Sequence, residues 1–281
     1  MTDVELPRYS PEWLEQRERA DGDARATALL QQLPAALRKP AAGGPPLVIR
    51  DLGCGTGSMG RWLAARLPGP QHWVLYDRDP ELLEHAAARM AGSAADGAPV
   101  TVETRQADIT ALTGADLAGA DLITASALLD LFTAEEVDIL VAGMVTARCP
   151  ALLTLSVTGR VQLTPVDPLD GELMAAFNAH QRRTSGGRRL LGPDAVRATT
   201  EAFTHRGVTV ASQPSPWRLG PKESVLAAEW LRGWVDIACE QRPDLRPAAD
   251  AYLGRRLAQA GAGELRVILQ HSDLLATPMN R

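Results

Sequence analysis

The stretch "DLGCGTGSMG", residues 51–60, puts an acid and four glycines into one short bend between the apolar "LVI" of 47–49 and a helix-like "RWLAARL". Glycines at 53, 55, 57 and 60 remove side chains where a ligand would otherwise meet them. Backbone N–H groups and a helix N-terminus can then approach it directly. Asp51 sets a negative charge at the mouth of the bend, and Cys54 sits inside it. Further acids follow at the ends of later apolar runs: Asp77 in "WVLYDRDP", Asp108 in "VETRQADI" and Asp130 in "SALLDLF". A carboxylate can accept from both hydroxyls of a vicinal diol, or from an amine. The chemistry in view is ligand holding by hydrogen bonds and charge. No His, Cys and acid cluster stands at metal-ligand spacing, so no metal is expected.

Two cofactor classes use such a bend. Gly55, Gly57 and Gly60 satisfy the G-x-G-x-x-G pattern of dinucleotide sites, and Asp51 with Gly53, Gly55 and Gly57 satisfies the acid plus G-x-G-x-G pattern of S-adenosylmethionine sites. Electrostatics separates them. A dinucleotide lays an anionic pyrophosphate over the bend, where Asp51 would repel it. S-adenosylmethionine brings a sulfonium and an α-ammonium, which a carboxylate attracts.

The elements that must position these residues alternate. Residues 1–46 read as a helical N-terminal cap, with Ser10 as N-cap, Pro11 at the first helical position, and the breaking loop "KPAAGGPP" before a boundary near Pro46. From Leu47 to Val157, five short apolar runs alternate with helical ones, which predicts a parallel sheet with crossover helices. Residues 158–191 break that rhythm and read as an insertion. A helix and a strand ("VTVASQ") follow, then a long helical stretch over 222–260 and a last strand, "RVILQHSDLLA".

With these residues in place, "VIRDLGCGTGSMGRWLA" resembles the first motif of the class I S-adenosylmethionine-dependent methyltransferases, and the likeness extends over most of 47–157. The resemblance implies a Rossmann-like methyltransferase domain over 47–281, an α/β fold. It would have a seven-stranded, mostly parallel sheet, helices on both faces and an antiparallel last strand. It implies that Asp51, Gly53, Cys54, Gly55 and Gly57 hold the cofactor. Asp77, beside Arg78, would accept from both ribose hydroxyls. Asp108 would bond the adenine amine, with Ala107 and Ile109 flanking it. Ala125 and Ser126 would lie beside the methionine portion. The helical cap and a lid formed by 158–191 would enclose the acceptor.

Methyl transfer is an in-line displacement at the sulfonium methyl, so an enzyme mainly positions the nucleophile, and a base is needed only for a protonated acceptor. Asp130, as base or orienter, and His180 are the expected catalytic residues. In "MAAFNAHQRR", Asn178, Gln181 and Arg182 lie within one helical turn. Asn178 and Arg182, with Trp13 and Trp217, are the expected substrate contacts. The remaining histidines, His271 among them, receive no role. The net charge of −5 disfavours nucleic acid. The three separated cysteines and a polar N-terminal stretch fit a cytoplasmic protein, and no apolar run is long enough to span a membrane. The expected partner is a small-molecule methyl acceptor. The rival readings are methylation of RNA or protein, and a non-catalytic S-adenosylmethionine-binding protein. Nothing in the sequence sets the oligomeric state.

Overall fold

The runs rich in Leu, Val and Ile pair side by side, because strands buried on both faces are stable only between two layers of helices. A computed structural model describes residues 9–38, 43–90 and 92–278. Of the cap expected over 1–46, residues 1–8 and 39–42 therefore lie outside the described residues. The chain opens with α1 (Pro11–Ala24), a 3-10 turn over Thr27–Gln32 and α2 (Ala35–Arg38). Ser10 caps α1 through its side chain, and Pro11 starts it. Strands and helices then alternate as β1 (Leu47–Leu52), α3 (Ser58–Ala64), β2 (Gln71–Asp77), α4 (Pro80–Arg89), β3 (Val100–Gln106), α5 (Gly114–Leu117), β4 (Leu122–Ser126), α6 (Ala134–Ala147) and β5 (Ala151–Thr164). Next come α7 (Asp170–Gln181), the small hairpin of β6 (Thr184–Ser185) and β7 (Arg188–Arg189), and α8 (Ala195–His205). The chain finishes with β8 (Thr209–Pro214), β9 (Trp217–Leu219), α9 (Ser224–Gln241), α10 (Arg246–Gly261) and β10 (Arg266–Thr277).

The sheet runs β3-β2-β1-β4-β5-β10-β8. The first five strands are parallel, and β10 is antiparallel to both of its neighbours. Strand order reverses between β1 and β4, which opens a crevice beyond their C-terminal ends. Helices α3 and α4 and the N-terminal 3-10 turn cover one face, and α5, α6 and α8 cover the other. A third apolar core joins α7, α9 and α10 to β9 and to one side of α1. Each fully buried leucine in these cores, such as Leu63 or Leu231, stabilises the fold by on the order of 2 kcal/mol. The third core also holds a buried ion pair: Arg256, 1% exposed, meets Asp170 of α7 at 2.6 Å.

Three local features differ from the sequence expectation. Strand β5 continues beyond Val157 to Thr164, so the first part of the segment expected to be an insertion is strand; pairing of Val161 with Leu269 and Leu163 with Val267 supplies its backbone partners. The helical stretch over 222–260 breaks into α9 and α10 at Pro243, which has no N–H to continue the helix. The short β9 adds an eighth strand, paired to the first half of β10.

Candidate cofactor and acceptor site

The turn after β1 is built by glycine conformation. Gly53 has φ +63°, and a Cβ there would stand 2.9 Å from Leu128. Gly57 has φ +81° at the start of α3, a left-handed value that side chains disfavour. Between them the Gly55 N–H donates to Asp77 Oδ2 at 2.9 Å, while Oδ1 accepts from the Asp79 N–H at 3.0 Å. Asp77 thus braces the turn from the end of β2. Gly60 acts differently: its missing side chain lets Met90 and Trp73 pack against α3. Asp108 caps the short turn over Ile109–Ala111, taking the Thr110 N–H and hydroxyl on Oδ1.

A cavity lies over this turn, lined by Asp51, Gly53, Cys54, Gly55, Thr56, Asp77, Arg78, Ala107, Asp108, Ile109 and Ser126. Gly57 and Ala125 are not among its lining residues; Gly57 serves the backbone, and Ala125 is buried in the sheet. Cys54 is a free buried thiol, and burial pushes its pKa well above the ordinary value. It therefore fills space and is a poor nucleophile.

The floor of the cavity carries an unusual pair. Asp51, 1% exposed, accepts from the Thr124 hydroxyl at 2.6 Å on Oδ1, while Oδ2 has no partner. Burial pushes its pKa up to about 7, against the opposing pull of Thr124 and Arg25. Arg25, 4% exposed, enters from the end of α1. One of its nitrogens donates to Ser58 and Ser126, each at 3.2 Å, and Nε and the other terminal nitrogen are unpartnered. Asp273 holds this segment in place: it accepts from the Ala26 N–H at 2.8 Å, from the Leu155 N–H at 2.7 Å and from the Ser215 hydroxyl. Buried donors and acceptors are rarely left unmatched. A buried guanidinium fork with spare N–H groups, close to a buried carboxylate with a spare oxygen, fits an α-amino acid: carboxylate on one, ammonium on the other. Thr56 is a third residue of the same cavity with a buried, unpartnered polar atom. The donor set fits the amino-acid end of S-adenosylmethionine.

A second cavity, of about 370 Å³, shares Tyr9, Arg17 and Ala127 with the first. Its walls come from α1 (Trp13), β5 (Leu155, Val157), α7 (Phe177, Asn178, Gln181), β9 (Trp217), α9 (Trp230, Trp234) and β10 (His271). Asp130, in the short turn after β4, also lines this cavity; burial pushes its carboxyl above the ordinary range, with Arg17 pulling the other way. Arg17 is held by both Asp21 oxygens, at 2.9 and 3.2 Å, and lies 5.0 Å from the Trp217 ring centre. Trp217 donates to the same Asp21 at 2.9 Å. His271, 6% exposed, is pushed down to about 4 by burial and by Arg17, and so stays neutral near pH 7. Two of the non-glycine residues with positive φ, Ala127 (53°) and Leu155 (56°), line this cavity. Such strain costs on the order of 1–3 kcal/mol each and gathers at functional sites.

Of the acceptor residues read from sequence, Trp13, Asp130, Asn178 and Trp217 line this cavity. His180 and Arg182 do not, which corrects the expected face of α7. On a 3.6-residue period Phe177, Asn178 and Gln181 share the inner face, and His180 is turned toward Glu240, at 3.4 Å. Arg182 meets Asp194 at 2.6 Å. Asn178 itself donates to the Gly159 carbonyl at 2.7 Å. His271, given no role from sequence, lines the cavity, and so do Arg17, Trp230 and Trp234. For Arg17 the available signal is the i, i+4 spacing with Asp21 and Arg25, on a segment that also carries Trp13; His271, Trp230 and Trp234 have no comparable local signal. Among the described residues, no group of His, Cys, Asp and Glu could hold a metal ion, and no helix is long and apolar enough to cross a membrane.

Residues 49–150 match the family model described as a methyltransferase domain. No curated protein matches the chain. Among solved structures, a cyclopropane-fatty-acyl-phospholipid synthase-like protein from Lactobacillus casei shares 16% identity, with 97% of this chain and 95% of that one covered, at a TM-score of 0.52. The cyclopropane synthase MmaA2 from Mycobacterium tuberculosis shares 15%, covering 89% and 82%, at 0.47. A SAM-dependent methyltransferase from Thiobacillus denitrificans, in complex with S-adenosyl-L-homocysteine, shares 12%, covering 99% and 95%, at 0.42. At 16% identity the Lactobacillus casei structure shows a likeness of fold. The family match spans the glycine turn and the strands on either side of it, so residues 49–150 carry a methyltransferase domain, set in the sheet order described above.

Proposed function

We propose that this methyltransferase transfers a methyl group from S-adenosylmethionine to a small-molecule acceptor. The observation that carries the reading is the pair of cavities meeting at Tyr9, Arg17 and Ala127: one is built on the glycine turn, and the other is of a size that takes a small molecule. When bound, the cofactor supplies an electrophilic methyl on a cationic sulfur. Arg25 binds its carboxylate, Asp51 its ammonium, Asp77 the ribose hydroxyls and Asp108 the adenine amine. Asp130 orients the acceptor and takes its proton where it has one to lose. A walled space of this kind suits a metabolite better than RNA or a protein surface, and the net charge of −5 agrees. The protein is read as cytoplasmic.

Calorimetry with S-adenosylhomocysteine tests the cofactor reading. Saturable binding is the expected result, weakened by about 1–3 kcal/mol in Asp77→Ala. Binding of NADH in its place would overturn it.

A further inference from the structure

The acceptor cavity is far richer in aromatic side chains than the chain as a whole. Four of the six tryptophans, Trp13, Trp217, Trp230 and Trp234, line it, although Phe, Trp and Tyr make up only 4% of the sequence. Trp230 and Trp234 stack at 5.1 Å between ring centres, 21° from parallel. Flat faces of this kind select flat ligands through offset and edge contacts. Two polar atoms on the walls are buried and unpartnered: the Trp234 indole N–H and His271 Nδ1. They ask for a ligand that carries polar atoms on its ring system, which a plain hydrocarbon chain does not offer.

The charges narrow the nucleophile. Asp130, Glu229, Arg17 and Arg160 are the ionic groups of this cavity, with Tyr9 and His271 the other titratable ones. Arg17 borders both cavities, and its charge is secured by Asp21. A cationic methyl donor in the neighbouring cavity adds to that positive field. An acceptor that becomes an anion is stabilised there, and one that arrives as an ammonium is repelled.

Resting on the methyltransferase reading above, we propose that the acceptor is a planar aromatic compound bearing an ionisable ring hydroxyl, methylated on that oxygen, with Asp130 as the base and Arg17 as the oxyanion partner. The hydroxyl proton passes to an Asp130 oxygen. The oxygen lone pair forms the new O–CH₃ bond as the S–CH₃ bond breaks, and that electron pair stays on sulfur. The products are an aryl methyl ether and S-adenosylhomocysteine, and Asp130 returns its proton to water.

The experiment uses the full chain and a panel of hydroxyarenes of one to three fused rings, 7-hydroxycoumarin among them. Matched arylamines and oleate serve as competitors. Calorimetry with S-adenosylhomocysteine is run first, so that failure of cofactor binding, which would sink the underlying reading as well, is seen separately. With that product bound, hydroxyarenes are expected to quench tryptophan fluorescence. Bound 7-hydroxycoumarin should show the phenolate spectrum at a pH where the free dye is neutral. With methyl-labelled S-adenosylmethionine, label should enter an ether at least tenfold faster than an amine or a lipid. Asp130→Asn should lower that rate by about 100-fold or more, with dye affinity within threefold of the parent. Cofactor binding with label entering only amines or oleate, or with no hydroxyarene bound or labelled, overturns the proposal. An unchanged rate in Asp130→Asn overturns the role of the base.

Discussion

The cofactor end and the acceptor end touch at Tyr9, Arg17 and Ala127, but they are assembled differently. Most of the cofactor end comes from turns after β1, β2, β3 and β4, each at the edge of a parallel sheet. Its parts act through backbone N–H groups and single carboxylates, and Arg17 and Arg25 reach it from outside that set. The acceptor end has no such local frame. Its walls come from α1, β5, α7, β9, α9 and β10, and they act through side-chain bulk. The first kind of site can be read from short sequence spacings. The second exists only after distant segments have packed.

This contrast can be tested by changes that damage one end and spare the other. The largest effect is expected from Asp130→Asn: turnover falls by about 100-fold to 10,000-fold, while S-adenosylhomocysteine binds within twofold of the parent by calorimetry. Arg25→Ala should do the reverse. Losing charged hydrogen bonds costs about 1.5–3 kcal/mol, so product affinity drops roughly ten- to a hundredfold, and dye quenching at the acceptor end persists. A shared loss in both assays would mean that Arg25 supports both cavities.

A pH experiment sharpens the cofactor end further. Asp51 sits at about 7 in the ligand-free protein, against 3.8 ordinarily. Its contribution to stability is therefore fully present below 3.8 and is lost as pH rises through about 7. An ammonium ligand prefers the ionised form, so S-adenosylhomocysteine affinity should fall as pH drops below about 7, approaching tenfold per unit. Melting curves should show a larger ligand-induced rise at pH 8 than at pH 5.5, and equal rises would place the ammonium elsewhere. The smallest effect belongs to His180→Ala, which should leave turnover within twofold because the ring faces Glu240. If that variant loses turnover and Asp130→Asn keeps it, the acceptor assignment is wrong.

The two ends were also unequally legible. Asp51, Gly53, Asp77 and Asp108 could be named from sequence because each follows an apolar run by a fixed short step, and chain direction alone brings those steps to one sheet edge. Even there, Arg25 appeared only as one charge among several in an N-terminal helix. Its burial depends on Asp273, 247 positions from Ala26, which takes the Ala26 N–H. On α7, Asn178 lines the cavity, while His180 and Arg182 do not. The choice is made by packing against α9 and by the Asp194 and Glu240 partners, which local spacing does not encode. His271 looked like a strand-edge residue. Irregular pairing between β10 and β5 around Leu269 and Ser272 sets it in a cavity wall, and bulges of this kind are not visible as periodicity.

By itself, the sequence determined the parallel sheet, the glycine turn and the sign of the charge that turn would welcome. Those properties follow from backbone sterics, hydrophobic alternation and a carboxylate a few residues away, all local quantities. Tertiary structure alone decided what stands opposite: the buried guanidinium at Asp51, the aromatic walls and the place of Asp130 in the second cavity. These are long-range contacts, and their geometry is set by how three cores pack together.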